Sequence, residues 1–400
     1  MIPFSPPDIS DVEINLVTEA LKSGWITTGP MTKRLEKEVA EYCGASICVC
    51  LNSATAGLEL VLRLLEIGPG DEVITSAYTY TASASVIEHV GAKIVLVDTK
   101  LDSFEMDYAA LADSITEKTK AIIPVDIGGV PCDYDALYAA IESKKHLYRP
   151  SNDLQAVYGK PVVIADAAHS FGSTYKGKRT GVLAEFNVFS FHAVKNFTTA
   201  EGGAVTWVDR EGIDSDDLYQ RFQLLSLHGQ NKDALAKTKV GSWEYDIVIP
   251  GYKCNLTDVA AAIGLGQMQR FDGLLKRRLE IYDQYAKVMD ELGVLYLHQV
   301  DERYQGNAHL FLCRLPGFNE EMRNEFIQVM AEQGVSCNVH YKPLPMMTAY
   351  RTMGFKIEDF PAAYNQYCNE VTLPLHTLLS DDDVNTVLTA FRKAMEVART

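Results

Sequence analysis

No Cys-x-x-Cys pair occurs among the eight cysteines, and their spacing follows no period. That argues against a disulfide-stapled scaffold and against a structural zinc site, both of which need thiols at set intervals. Cys48 and Cys50 share one face of the strand-like run Ile47 to Leu51 and are expected in the core. Nowhere do about eighteen uncharged apolar residues follow one another, so no membrane-crossing helix is expected. The start, Met1 to Ser10, holds no basic stretch leading into an apolar run, and the chain reads as soluble and cytoplasmic. Positive charge is also short: 37 Lys and Arg against 53 Asp and Glu leave a formal charge of -16. A nucleic-acid or anionic-membrane surface needs a basic stripe and is disfavoured. A phosphorylated ligand would then need a local pocket of donors inside an acidic shell. Internal repeats and low-complexity tracts are absent as well.

With 400 residues, 47% of them hydrophobic, the chain is long enough for a large core, and one large plus one small domain is the natural division. From about residue 45 to 210, short β-branched runs alternate with helix-like stretches. This is the pattern of a three-layer α/β domain around a parallel sheet. The expected strands are Ile47 to Leu51, Glu72 to Ser76, Lys93 to Val97, Ala121 to Val125, Val162 to Ala165, Asn187 to Ser190 and Gly203 to Val208. Ala54 to Leu65 and Tyr134 to Ser143 space their apolar residues as helices packed on a sheet do. Lys144 to Lys160, with Arg149-Pro150-Ser151-Asn152-Asp153, breaks this period and reads as an exposed excursion. Leu256 to Leu292 reads as a long helix bridging to a smaller α+β domain. The division is then 1–255 for an N-terminal arm and large domain, and 256–400 for the bridging helix and small domain.

Open α/β sheets bind ligands at the carboxyl ends of their strands, so the turns there matter most. In Leu51-Asn52-Ser53-Ala54-Thr55-Ala56-Gly57 a strand runs into small residues that open a helix. Such a turn lets backbone N–H groups and the helix dipole approach a phosphate, although Ser and Thr at a helix start also serve as plain caps. Val163-Ile164-Ala165-Asp166-Ala167-Ala168-His169 ends an apolar strand in one acid, with a histidine three residues on. A carboxylate there can hold a pyridinium nitrogen protonated, or merely cap a helix, and His169 can be a polar residue at the core edge. In Ser190-Phe191-His192-Ala193-Val194-Lys195-Asn196 a lysine follows a strand among apolar neighbours. Desolvation can turn such an amine into a nucleophile and proton carrier, while lysines in general are solvated surface charges.

Taken together, these motifs resemble those of the DegT/StrS-type sugar-nucleotide aminotransferases. The likeness extends to Gly24-Trp25-Ile26-Thr27-Thr28-Gly29-Pro30, Tyr78-Thr79-Tyr80, Asp166-Ala167-Ala168-His169-Ser170-Phe171-Gly172 and Gly251-Tyr252-Lys253-Cys254-Asn255-Leu256-Thr257-Asp258. It implies a pyridoxal 5'-phosphate enzyme of aminotransferase fold type I, aspartate aminotransferase-like, with a smaller C-terminal α+β domain. It also implies roles. Lys195 would carry the cofactor as a Schiff base and shuttle the proton, Asp166 would pair with the pyridine nitrogen, and His169 would bond or stack near the ring. Tyr80 would lie on the ring face. Ala54, Thr55 and Ser190 would hold the phosphate, aided by Lys253 or Asn255 from a partner subunit of a homodimer. Trp25 and Thr28 from the N-terminal side, with His340 and Tyr341 from His340-Tyr341-Lys342-Pro343, would meet the sugar nucleotide, although His340 reads equally well as a polar loop residue.

Within the family, Gly24 to Pro30, His169 and the Lys253-Cys254-Asn255 triplet are similar to the branch that aminates UDP-linked sugars. The implied reaction moves an amino group from L-glutamate to C4 of a UDP-linked 4-keto sugar, for surface polysaccharide or glycan synthesis, and leaves 2-oxoglutarate. A dTDP- or GDP-linked 3- or 4-keto sugar is the alternative. A sugar dehydratase of this family would have histidine in place of Lys195, and a non-catalytic cofactor-binding regulator would have no need of Lys195 and Asp166 together. Three positions depart from the pattern. Asp126 stands where relatives commonly have histidine and is expected to alter the pocket beside the cofactor; Ala165 replaces an acid, and Ala200 replaces a glycine.

Overall fold

The computed structural model describes residues 1–231 and 244–398. Its central sheet is built from β1 (Cys48–Leu51), β2 (Glu72–Ser76), β3 (Lys93–Val97), β4 (Thr119–Ile123), β5 (Val162–Asp166), β8 (Phe186–Ser190) and β9 (Gly203–Trp207), while β6 (Thr174–Tyr175) and β7 (Lys178–Arg179) form a small hairpin between β5 and β8. The order across the sheet is β1-β9-β8-β5-β4-β2-β3. The expected all-parallel sheet is corrected: β9 runs antiparallel to both β8 and β1. The reason is local, because the loop from Phe191 to Gly202 folds back as a wide hairpin. Phe191 N–H donates to Gly202 O at 2.8 Å and Thr199 N–H to Phe191 O at 2.9 Å.

Helices cover both faces of this sheet. They are α1 (Asp11–Ser23), α2 (Pro30–Cys43), α3 (Ala54–Leu64), α4 (Ala82–His89), α5 (Tyr108–Ser114), α6 (Tyr134–Ser143), α7 (Asp153–Tyr158) and α8 (Ser215–Ser226). α3 starts where Ser53 accepts the Ala56 N–H at 3.1 Å, a cap worth about 1 kcal/mol. It packs Leu58, Val61 and Leu62 into the main core. Gly57 permits that approach, since a Cβ there would stand 2.8 Å from Val188 and 2.9 Å from Val205. The segment Lys144 to Lys160 is exposed from Arg149 to Ser151, as expected, but it also carries a helix that is anchored in the protein. Asn152 caps α7 through the Gln155 N–H, and Gln155, Tyr158 and Tyr148 are buried; the Gln155 amide donates to Leu65 O at 2.8 Å.

The long helix α9 (Asp258–Leu292) leads into the C-terminal part: α10 (Glu320–Glu332), α11 (Thr348–Thr352), α12 (Pro361–Asn369) and α13 (Asp381–Val397), with a sheet of β10 (Leu295–Tyr296), β12 (Phe311–Arg314) and β13 (Glu370–Leu373). β11 (Tyr304–Gln305) instead joins β6. This part has its own core around Tyr285, Phe311, Phe326, Val371 and Phe391. Ile2 belongs to that core and pairs with Val335, so the N-terminal arm is anchored on the C-terminal part. All eight cysteines are free, with Cys48 and Cys50 buried as expected. Among the described residues no helix is long and apolar enough to cross a membrane, and no cluster of His, Cys, Asp or Glu has the makings of a metal site.

Candidate active site

Because β1, β2, β5 and β8 all point the same way, the turns after them meet at one edge of the sheet. There they line a cavity of about 410 Å³. Ala54, Thr55, Tyr80, Asp166, His169, Ser190, Lys195, His340 and Tyr341, all singled out by sequence, are in its wall.

Lys195 sits in a tight turn, its N–H donating to His192 O at 2.9 Å. Part of its side chain faces the cavity, but the amine is stripped of enough water that its pKa falls to about 8, with Asp166 opposing the shift. Asp166 is buried at the end of β5. Burial raises its pKa, while Ser83, the Ala168 N–H and Lys195 pull it back. Ser83 Oγ donates to Oδ2 at 2.6 Å and Ala168 N–H to Oδ1 at 3.2 Å.

His169 is held on two sides. Gly128 N–H donates to its Nδ1 at 3.2 Å and Nε2 lies 3.1 Å from the Tyr341 hydroxyl. Burial, then Lys195 and His340, drive its pKa well below the ordinary value. The ring is therefore neutral, and since Nδ1 must accept, the proton is on Nε2 and points to Tyr341. Behind it stands His309, ring centres 4.5 Å apart. His309 Nδ1 is 2.9 Å from Asn196 Oδ1, and Asn196 in turn donates to Asn307 O. Tyr80 is at the rim, exposed, with its ring 6.0 Å from that of Tyr341.

The first turn of α3 offers backbone N–H groups of Ala54 and Thr55 that an α-helix leaves without intrahelical acceptors. Its place is fixed by Gly203, where a Cβ would come within 2.5 Å of Ala54 N and Ser53 C. These groups fit pyridoxal phosphate: an amine, an opposed buried carboxylate, and a helix start with Ser190 for the phosphate.

Four expected residues are not in this cavity. Trp25, Thr28, Lys253 and Asn255 form a cluster of their own. Trp25 Nε1 donates to Thr28 O at 3.0 Å, Asn255 donates to Thr28 Oγ1 at 2.5 Å, and Lys253 bonds Asn255. Beside them, Asp258 accepts from Gly29 and Thr32 N–H at 2.7 and 2.9 Å and caps α2, so part of both motifs is structural.

The expectation for Asp126 is corrected as well. It does not line the cavity; its carboxylate accepts from Cys132 N–H at 2.9 Å, Ser170 Oγ at 2.7 Å and Tyr134 Oη at 3.2 Å. It ties down the loop under His169. Sequence reading missed Ser83, His309 and Phe4. Ser83 carried a faint signal, lying just past Tyr78-Thr79-Tyr80 at the start of α4, whereas His309 and Phe4 come from distant segments with none.

The DegT/DnrJ/EryC1/StrS aminotransferase family model matches residues 7–392. The spore coat polysaccharide biosynthesis protein SpsC of Bacillus subtilis is 36% identical, over 99% of this chain and 98% of its own. The UDP-4-amino-4-deoxy-L-arabinose--oxoglutarate aminotransferase of Shewanella sediminis is 34% identical over 97% of each. Among solved structures, Spr1654 of Streptococcus pneumoniae, described as a candidate sugar aminotransferase, superposes in its PMP form with a TM-score of 0.97 at 52% identity over the whole of both chains. It is also known in a PLP form. Fold, cavity and likeness together define a pyridoxal-phosphate-dependent aminotransferase of fold type I. The chain belongs to the DegT/DnrJ/EryC1/StrS aminotransferase family.

Proposed function

We propose that this sugar aminotransferase moves an amino group from L-glutamate to C4 of a UDP-linked 4-keto sugar, in the synthesis of a surface polysaccharide or glycan. The observation that carries the reading of the chemistry is Lys195, an amine near neutrality, in one cavity with the buried acid Asp166. When bound, pyridoxal phosphate supplies an electron sink for the substrate carbon that gains or loses a proton. Lys195 Nζ takes up and returns that proton, which an amine of pKa about 8 does readily in either direction. Asp166 keeps the ring-nitrogen proton in place, and Ser83 orients its carboxylate. Ala54, Thr55 and Ser190 would bind the phosphate, His169 and Tyr80 would meet the ring, and His340 and Tyr341 would meet the sugar. The packed rings of His169 and His309 form part of the cavity wall.

The likeness to the Shewanella enzyme supports the UDP and 4-amino choice. Asp126, turned into the protein, does not count against it. A homodimer completes the site: among the described residues lining the cavity Lys195 is the only lysine or arginine, and a dianionic phosphate calls for a cation, which Lys253 with Asn255 from the partner subunit would provide. Trp25 and Thr28, bonded to that pair, would come with it. The protein so proposed works in the cytoplasm, where sugar nucleotides are available. The test is a panel of UDP-, dTDP- and GDP-linked keto sugars offered to the glutamate-reduced enzyme. Efficient amino transfer to a UDP-linked 4-keto sugar is expected, and exclusive use of ordinary 2-oxo acids would overturn the reading.

A further inference from the structure

His340 joins the cavity to the C-terminal sheet. Its ring lines the cavity and stacks on Phe4, centres 5.6 Å apart with 23° between planes. On the other side its Nδ1 meets Thr372 Oγ1 at 2.9 Å. The Thr372 hydroxyl reaches Glu370 Oε1 at 2.6 Å, and Glu370 Oε2 accepts the His340 backbone N–H at 2.8 Å. Glu370 and Thr372 are wholly buried and two apart on β13, hence on one face. No residue of this chain on β13 lines the cavity, so the mechanism above leaves the pair unused.

This chain of bonds has a direction. Oε2 faces a backbone N–H and must accept. When the carboxylate is charged, Oε1 also accepts, the single Thr372 proton goes to it, and the Thr372 oxygen can only receive Nδ1–H from His340. A neutral imidazole then has its proton on Nδ1 and a bare lone pair on Nε2. When Glu370 is protonated, the order reverses. Oε1–H donates to Thr372, Thr372 donates to Nδ1, and the imidazole proton resides on Nε2. We propose that Glu370, acting through Thr372, is a positioning residue that sets whether His340 offers an acceptor or a donor to a hydroxyl of the sugar substrate. The substrate half of this statement rests on the aminotransfer reaction proposed above; the tautomer half does not.

Both states lie within reach. Burial lifts Glu370 to about 8 against the Thr372 and His340 N–H bonds and Arg323, all of which favour the charge. His340 itself is held neutral, its pKa driven down to about 3 by burial and then by Lys195. The other titratable groups facing Glu370 are Arg314 and Cys313 on β12, Tyr78 after β2, and Cys337 and Tyr341 beside His340. The thiols and phenols among them are raised by burial and stay neutral in this range.

The experiment is nitrogen NMR of histidine-labelled holoenzyme, with His340 assigned by its loss in His340→Gln. The proton is expected on Nδ1 at about pH 9.5 and on Nε2 at about pH 6.5, moving as Glu370 titrates. In Glu370→Gln the amide oxygen must face the backbone N–H, so its NH₂ donates to Thr372 and the proton is expected on Nε2 at both values. Thr372→Val should uncouple the tautomer from pH, and Thr372→Ser should restore the coupling, which controls for misfolding. At about pH 9.5, where the two proteins hold opposite tautomers, the KM for the sugar nucleotide should differ about three- to tenfold between wild type and Glu370→Gln, the worth of one neutral hydrogen bond, and at about pH 6.5, where the tautomers agree, it should not. One unchanging tautomer in wild type and Glu370→Gln alike would overturn the proposal. Opposite tautomers at about pH 9.5 with equal KM values in wild type and Glu370→Gln would overturn its extension to the sugar.

Discussion

Ser83 donates its hydroxyl hydrogen bond to Oδ2 of Asp166 across 2.6 Å, while its own oxygen lies 2.9 Å from the Thr79 hydroxyl, which serves as donor to it. The bond links the first turn of α4 to the end of β5 and fixes a carboxylate that lines the cavity.

Ser83→Ala should therefore reduce turnover while keeping the cofactor. A hydrogen bond to a charged group is worth about 1.5–3 kcal/mol, so a loss of roughly ten- to a hundredfold is expected in the glutamate half-reaction. Asp166→Asn should lose more, because an amide cannot balance a pyridinium charge. Stopped-flow rates for the two variants give the ranking; Ser83→Ala running at the wild-type rate would remove Ser83 from the site.

Lys195 should react as an amine of pKa about 8 instead of 10.5. In cofactor-free protein its labelling by an amine reagent should rise with pH through about 8 and then level off, well before the exposed lysines. Borohydride treatment of the yellow holoenzyme followed by peptide mapping should mark Lys195, and Lys195→Ala should abolish transamination with the fold retained. Marking at another lysine would shift the assignment.

Gly203→Ala places a Cβ 2.5 Å from the backbone at Ser53 and Ala54, where no side chain is free to move aside. Overpacking costs about 1–3 kcal/mol. Because the displaced atoms open α3, cofactor affinity should fall along with the melting temperature. A variant that melts lower yet binds cofactor as before would show that the α3 turn is not the phosphate site.

Asp126 gives a pH signature. Burial holds its folded pKa at about 6 against an ordinary 3.8, so the native state keeps a proton the unfolded state has lost between those values. Stability is then fully present below about 4, declines as pH rises to about 6, and is flat above, a difference of about 3 kcal/mol at most. Asp126→Asn should flatten this part of the curve in urea melts taken from pH 4 to 7. Parallel curves for the two proteins would mean that Asp126 is charged throughout.

A shared site is open to complementation. Lys195→Ala and Lys253→Ala/Asn255→Ala should each be inactive alone. Mixed dimers would hold one intact site and one doubly damaged site, so subunit exchange should restore part of the activity. Proven hybrids without activity would confine Lys253 and Asn255 to the cluster they form with Thr28.

Much of this was legible from residues alone where a signal is local. Strands such as Glu72–Ser76 and Lys93–Val97 are marked by β-branched runs, and Asp166 ends another such run. The direction of β9 was not legible, since it depends on a loop whose closure at Phe191 and Gly202 has no composition signature. Nor was the orientation of Asp126, which follows from tertiary donors at Cys132, Tyr134 and Ser170. Lys144 to Lys160 misled because Pro and Asn marked a helix cap, and the buried Gln155 bonds across to Leu65, ninety positions earlier. Ala200 shows the converse: at φ 69° it adopts the left-handed backbone that favours glycine, which accounts for the residue it replaces.

The wall of the cavity is collected from Phe4 near the start of the chain to Tyr341 near its end. During synthesis the segment bearing Lys195 leaves the ribosome long before His309, His340 and Tyr341 do, so the cavity cannot close around it until the C-terminal part has been made. The complete wall is therefore a product of finished folding, and a chain that stops before His309 should lack a closed cavity.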